Sequence, residues 1–248
     1  MKIALLTDTH WGYSSRGDLK NKDLLKKLLT ENPDIICHTG DIASECTSQL
    51  KEYLILIRSL FPKTPIVANW GNHCLWQSNK NKKPIRDKLQ INTDIFQQFG
   101  IVHAGSQIYE NEEIVILGAD GWYMYDNQSS NDRNFIPLYN IPDEGFDYLN
   151  KRARESFDLA MRLKQNYLGR KKIIYMTHFG IVPSLSGQDN SLEYYGGDPA
   201  MARGMTGVDY LFFGHTHHLI NGEILGSGTI CYNSGSDYEK PNYLIISI

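Results

Sequence analysis

Five short apolar runs in this chain each end directly on side chains that can bind a metal or carry a proton, and this repetition limits the fold more than any other feature. The runs deliver, in order, Asp8-Thr9-His10, Gly40-Asp41, Gly71-Asn72-His73, Thr177-His178 and Gly214-His215-Thr216-His217. A continuous apolar run of four or five residues is the mark of a strand buried on both faces. Residues 3–7 form the first such run. Leu24, Leu25, Leu28 and Leu29 then recur at helical spacing, and Asn32-Pro33 closes that helix. A second strand is expected at 35–39, a helix through Leu50, Tyr53, Leu54, Ile57 and Leu60, and a third strand at 65–70. The opening is therefore βαβαβ, with parallel strands joined by right-handed crossovers. In such sheets ligands gather beyond the carboxyl ends of the strands. Asp8, Asp41 and Asn72 stand at those three ends.

The remainder of the chain is less regular. Residues 76–94, with Lys80, Lys82, Lys83 and Lys88, read as a solvated loop and helix, and 114–118 as a strand. Residues 120–142 are aromatic and turn-forming without a period, as expected of a long functional or mobile loop. Phe146, Leu149, Ala153, Phe157, Ala160 and Lys164 line one helical face that Gly169 ends. Strands at 173–176 and 210–213 deliver the last two clusters, with a second long insert at 183–207 between them. Short strands are expected at 224–225, 230–233 and 243–248. No linker or repeat divides the chain, so residues 1–248 are expected to form a single domain.

With 248 residues the chain can bury a sizeable core. Its net charge of −3 argues against a protein whose main business is gripping a nucleic acid backbone. The four cysteines, Cys37, Cys46, Cys74 and Cys231, form no CxxC pair, and free thiols in a reducing compartment are expected. The opening apolar stretch reaches a carboxylate at Asp8, too soon for a signal sequence, and no run approaches the length of a membrane span. A soluble, cytoplasmic protein without membrane partners is the expectation; nothing in the sequence fixes its oligomeric state.

Singly, each cluster residue has an ordinary explanation: a strand-end turn for Asp8, a helix cap for Asn72. Their joint order after five strands points instead to a pair of divalent ions held at one sheet edge. Two such ions bring four positive charges, of which Asp8 and Asp41 remove two, leaving a site that attracts an anionic phosphate ester. The mix of imidazole, carboxylate and amide oxygen suits Mn, with Fe, Zn, Co or Ni as alternatives, over calcium or a thiolate zinc. Asp-x-His at a strand end puts alternate side chains on one side, so both can face one ion.

From residue 8 to residue 217 these motifs resemble the calcineurin-like metallophosphoesterase family, in which DxH, GD, GNH, H and GHxH occur in this order. Asn233-Ser234-Gly235-Ser236 resembles the turn that commonly follows the last motif. The resemblance implies a four-layer αββα sandwich, a fold mixing α/β and α+β features, with two mixed sheets inside, helices outside and the metal site at the carboxyl ends of the strands. It implies that Asp8, His10 and His217 bind one ion, that Asp41 bridges, and that Asn72, His178 and His215 complete the second. His73 would be the catalytic residue above the pair, stabilising the phosphate or protonating the leaving oxygen, while a hydroxide shared by the ions attacks phosphorus in line. The family usually continues GNH with an acid that orients the catalytic imidazole or raises its pKa. Cys74 stands there in this chain, so the pH dependence of His73 is expected to differ unless another carboxylate substitutes in space. The protein Ser/Thr phosphatase branch follows GD with Asp-Arg-Gly; here Ser44, Glu45 and Cys46 occupy that region, and a phosphatase of that type is not expected.

The leading expectation is a hydrolase of a small or nucleotide phosphodiester. A phosphomonoesterase or nuclease using the same site comes next, and a non-catalytic metal-binding scaffold last. Trp11, Tyr13, Arg16, Tyr123 and Arg133 are candidates for substrate binding because they follow the first motif or lie in the 120–142 loop. Trp76, Tyr125, Tyr194, Tyr195 and Arg203 have similar placement. His38 and His103 are expected to be structural, and His218 to point away from the ions or line the rim.

Overall fold

In β1 (Lys2–Leu6) the residues Ile3, Ala4, Leu5 and Leu6 are all fully buried, so both faces of the strand are covered. The structure is a computed structural model describing residues 1–44, 47–76, 84–120, 142–181, 185 and 199–248. β1 pairs in parallel with β2 (Ile35–His38), Ile3 opposite Ile35, and the sheet continues in parallel through β3 (Ile66–Ala68) and β4 (Val102–His103). The carboxy-terminal segment, residues 243–247, returns as an antiparallel edge on β1, with Leu6 opposite Tyr243.

A second sheet contains β5 (Tyr109–Glu110), β6 (Ile114–Gly118), β7 (Lys172–Met176), β8 (Tyr210–Phe212), β9 (Leu219–Ile224) and β10 (Ile230–Ser234), with 243–247 then being β11 (Tyr243–Ser247) of the first sheet. Its order is β5-β6-β7-β8-β10-β9, parallel in the middle and antiparallel at both edges. Both sheets are thus mixed, as expected.

Alternation along the strands sorts the core into three layers. Ala4, Leu6, Ile36 and Ala68 face α1 (Ser15–Glu31), α2 (Thr47–Leu60) and α3 (Ile85–Gln98), meeting Leu25, Leu28, Tyr53, Ile57 and Phe96. Val115, Ile173, Tyr175 and Leu211 face α4 (Pro142–Lys164) and α5 (Pro199–Gly204) through Phe157, Ala160 and Met201. The other faces, Ile3, Leu5, Cys37 and Val67 against Ile116, Ile174, Met176 and Phe212, meet between the sheets. The result is the four-layer αββα sandwich that the motifs implied. Leu149 and Ala153 of α4 pack in the first sheet's helical layer, so this helix also ties the two halves together.

Local signals explain the ends of the elements. Ser14 caps α1 by accepting from the Gly17 amide, and Asn32 ends it in the left-handed region, φ 49°, which a short amide side chain tolerates. Lys88, read from sequence as solvated, is buried, with Nζ donating to Thr47 Oγ1 at 3.1 Å; an α2–α3 hydrogen bond replaces its water. Lys80, Lys82 and Lys83 lie outside the described residues. Among the described residues no helix is long and apolar enough to cross a membrane.

Phe212, fully buried between the sheets, should cost about 3–5 kcal/mol of unfolding free energy when replaced by alanine. Urea titration of Phe212→Ala will read this as a lower midpoint at unchanged slope.

Candidate metal centre

All five clusters meet where the carboxyl ends of the two sheets adjoin. β1, β2 and β3 of the first sheet lead into Asp8, His10, Asp41, Asn72 and His73, while β7 and β8 of the second lead into His178, His215 and His217. Three groups of ligand atoms lie within 4.8 Å of one another: Asp8 with His10 and His217; His10 with Asp41 and His73; and Asp41 with His178 and His215. The focus is Asp41. Its Oδ1 accepts the His73 amide at 2.9 Å. Its Oδ2 faces three imidazole Nε2 atoms, from His178 at 3.4 Å and from His10 and His73 at 4.0 Å.

The backbone is bent to make this possible. Among the described residues the non-glycine positions with positive φ are Asp8 (48°), His10 (43°), Asn32, Asp41 (47°), His215 (67°) and His217 (51°). Five of those six are cluster residues. Such conformations cost energy and persist where the surroundings over-determine them. Two glycines of the motifs serve the same packing: a Cβ on Gly71 would collide with the Asp41 carboxylate, and one on Gly214 with Thr7 and Asp8.

Several of these side chains are held from behind. Thr7 Oγ1 donates to Asp8 Oδ2, and the His215 amide lies 3.1 Å from both oxygens of that carboxylate. His178 Nδ1 donates to the Thr39 carbonyl at 2.7 Å, which turns Nε2 toward Asn72 Oδ1 at 3.1 Å and Asp41. Asp237 Oδ1 sits 3.3 Å from His217 Nδ1. Partners of this kind fix the tautomer and aim of an imidazole.

The charges are graded. Burial alone would raise Asp8, but His217 and His178 hold it down at about 2. Asp41 is likewise held well below the ordinary carboxylate range against its burial, by His178 and His73. Burial lowers His10 and His215 to about 3, leaving both neutral near pH 7. For His178 burial opposes the charge, but Asp41 outweighs it and raises the pKa to about 9.

This donor set fits a pair of divalent ions. Two carboxylates are ionised, and the Nε2 atoms of His10 and His217 face each other at 3.2 Å, close enough for both to reach one ion. Neutral imidazole and oxygen donors together match first-row transition ions.

The histidine after Asn72 is built differently from its neighbours. His73 Nδ1 donates to the Ser44 carbonyl at 3.1 Å, its ring stacks on Trp76 with centroids 3.5 Å apart, and its Nε2 faces the cluster. A backbone carbonyl therefore occupies the place expected of an orienting carboxylate. Cys74 is buried, its thiol pushed up to about 12 by that burial, and its Sγ accepts weakly from the Gly71 amide at 3.5 Å.

Of the substrate candidates, Tyr13 and Arg16 lie at the rim. Tyr13 is exposed and packs on Tyr238 with centroids 4.4 Å apart, while Arg16 pairs with Glu239 at 3.7 Å. Trp11 corrects its expectation: only 6% exposed, it packs on Tyr53 and donates toward Glu52, on the helix side of the sheet. Tyr123 and Arg133 lie outside the described residues, as do Tyr125, Tyr194 and Tyr195. His38 is buried and bonded to Thr9 Oγ1, and His218 is exposed. Sequence reasoning missed Ser44, Asp237 and Tyr238. A backbone carbonyl leaves no trace in residue type, and the last two follow the final motif with no spacing rule to mark them.

The calcineurin-like phosphoesterase profile matches residues 1–219. The chain belongs to this family. Membership makes it a metal-dependent hydrolase of phosphate esters, and with the histidine and aspartate clusters it points to a dinuclear divalent site. No curated protein matches the chain in sequence. Among solved structures, the phosphopantetheinyl hydrolase of Mycobacterium tuberculosis superposes with a TM-score of 0.72 at 14% identity, over 94% of this chain and 88% of the other. A dimetal phosphatase from Danio rerio gives 0.59 at 11% identity, covering 94% and 86%. A purple acid phosphatase from yellow lupin seeds gives 0.55 at 13%, covering 98% of this chain and 44% of its own. At these identities the likeness is one of fold.

His103 is anchored beside this family site. Its Nε2 bonds Asp120 Oδ1, its Nδ1 meets Ser106 Oγ at 2.9 Å, and Arg152 Nε donates to Asp120 Oδ2 at 2.7 Å. Burial works against ionised Asp120, yet His103 and Arg152 hold it at about 2. A carboxyl depressed on folding stabilises the protein above its unfolded pKa, and that contribution fades as pH falls from about 4 through about 2. Asp120→Asn should therefore lose about 2 kcal/mol or more at pH 7. Chemical denaturation across pH 7 to 2 should show the gap from the parent closing only below about pH 4.

Proposed function

We propose that this chain hydrolyses a small phosphodiester at two divalent ions, the first held by Asp8, His10 and His217, the second by Asn72, His178 and His215, with Asp41 shared. The convergence of three imidazole nitrogens on Asp41 Oδ2 carries this reading, because an oxygen in that position can belong to both ligand sets. The ions when bound supply Lewis-acid stabilisation of the phosphoryl charge and a nucleophile drawn from water near neutral pH. Mn suits the donors best, with Fe, Zn, Co and Ni as alternatives.

The chain's own residues do the remainder. Because Nδ1 of His73 is spent on the Ser44 carbonyl, Nε2 is the atom that faces the cluster and can pass a proton to the leaving oxygen. The hydrogen bond from the His73 amide to Asp41 Oδ1 ties the backbone of this histidine to the shared carboxylate, while the Ser44 carbonyl and Trp76 hold its ring. The rim supports a diester over a monoester. Tyr13, Trp76 and Tyr238 present rings there. A diester carries one negative charge and two organic substituents, which suits aromatic surfaces better than a dianion does.

Mn-loaded protein should hydrolyse bis-p-nitrophenyl phosphate faster than p-nitrophenyl phosphate, and a chelator or Asp41→Asn should abolish both activities. His73→Asn should lower kcat by about 10²–10⁴ while two ions per chain remain bound. Faster monoester turnover would refute the diester assignment. No turnover at all in protein carrying two ions would refute the enzymatic one.

A further inference from the structure

One aromatic side chain of the rim covers the cluster and carries a hydroxyl to which no role is assigned above. The Tyr238 ring stacks on His10 with centroids 4.2 Å apart and an interplanar angle of 28°, and stands edge-on to His217 at 5.3 Å. Its hydroxyl reaches past them to 3.5 Å from His73 Nε2. A phosphoryl group contacting both His73 and ions at Asp41 must enter the space this hydroxyl borders.

The position is built. Ser236 Oγ donates to the Asn242 carbonyl and accepts the Asn242 amide, at 2.9 and 3.0 Å, closing the loop that carries Tyr238. Asp237 accepts the Tyr238 amide at 2.8 Å while facing His217 Nδ1. The loop is then pinned to the start of α1: Ser14 Oγ donates to Glu239 Oε1 at 2.9 Å and Lys20 Nζ to the Glu239 carbonyl at 2.8 Å. A Cβ on Gly17 would collide with the Tyr238 carbonyl, so the helix start and the loop are in close contact. So many ties on one turn hold a single side chain over the centre.

We propose that Tyr238 is a catalytic residue that touches the substrate, its hydroxyl donating a hydrogen bond to a non-bridging phosphoryl oxygen beside His73. Charge builds on those oxygens as phosphorus becomes five-coordinate, so a donor fixed there favours the transition state over the ground state. The proposal rests on the phosphoesterase reading of the site.

The test uses inorganic phosphate as the probe on the full, Mn-loaded chain, measured by calorimetry, with diester turnover in parallel. Tyr238→Phe keeps the ring on His10 and removes only the hydroxyl. It should keep two bound ions and the parent's thermal midpoint, weaken phosphate binding on the order of ten- to hundredfold, and lower kcat/KM by a similar factor. The weakening should persist in the His73→Asn background. Incorporating 3-fluorotyrosine at position 238 gives a second readout, its 19F resonance shifting when phosphate is added. Unchanged phosphate affinity, a silent fluorine signal, or a weakening that vanishes once His73 is replaced would each overturn the proposal, as would loss of metal in Tyr238→Phe. A parent that binds phosphate but turns over no ester refutes the enzymatic reading alone, because the binding comparison still decides Tyr238.

Discussion

The site depends on one carboxylate held at both oxygens. Asp41 is fully buried, its Oδ1 committed to the His73 amide and its Oδ2 surrounded by three imidazoles. An ionised carboxylate without partners would be far too costly in that environment. Its neighbours are therefore constrained in turn. Residue 71 has to lack a side chain, the peptide at 72–73 has to present its amide, and Asp41 itself has to adopt a left-handed backbone. At roughly 1–3 kcal/mol for each such residue, the strain collected at Asp8, His10, Asp41, His215 and His217 is comparable with the stability of a whole domain. Only a rigid support can hold it, and the apolar layer between the sheets lies directly beneath.

That support also explains why the centre lies at a seam. Neither sheet carries a complete set of donors: the first brings both carboxylates, and the second brings His178, His215 and His217. Contacts such as His178 Nδ1 to the Thr39 carbonyl, and the His215 amide to Asp8, cross from one sheet to the other. The donors converge only after the sheets have packed, so ion binding and inter-sheet packing favour the same state and stabilise each other.

Much of this was readable in the residues, for a physical reason. Strands buried on both faces appear as unbroken apolar runs, and the side chains just past their ends must lie on one edge. Hence residues 114–118 and the termination of α1 at Asn32 match the structure. The two-residue strands β4 and β5 were not readable, because so short a stretch has no period. The start of β9 at Leu219 was hidden by the cluster before it. In the site, residue types that bind metals were legible and their supports were not. Ser44 contributes a carbonyl, which any residue has. Tyr238 is placed by a loop closure and by contacts to α1 more than two hundred residues earlier in the chain. Trp11 shows the opposite failure, since following a motif in sequence says nothing of which way a ring turns.

The exchange of an acid for Cys74 gains a physical meaning from the same geometry. A carboxylate at Nδ1 of His73 would orient the imidazole and also stabilise its protonated form. The Ser44 carbonyl supplies the orientation with a dipole alone, and the buried Cys74 thiol stays neutral. The cluster already contains Asp8 and Asp41 as buried anions, and a third beside Asp41 would add repulsion that the ions would have to offset. Orientation without charge leaves the pocket less negative, which eases the approach of an anionic ester, so the departure from the family pattern is compatible with catalysis at this histidine.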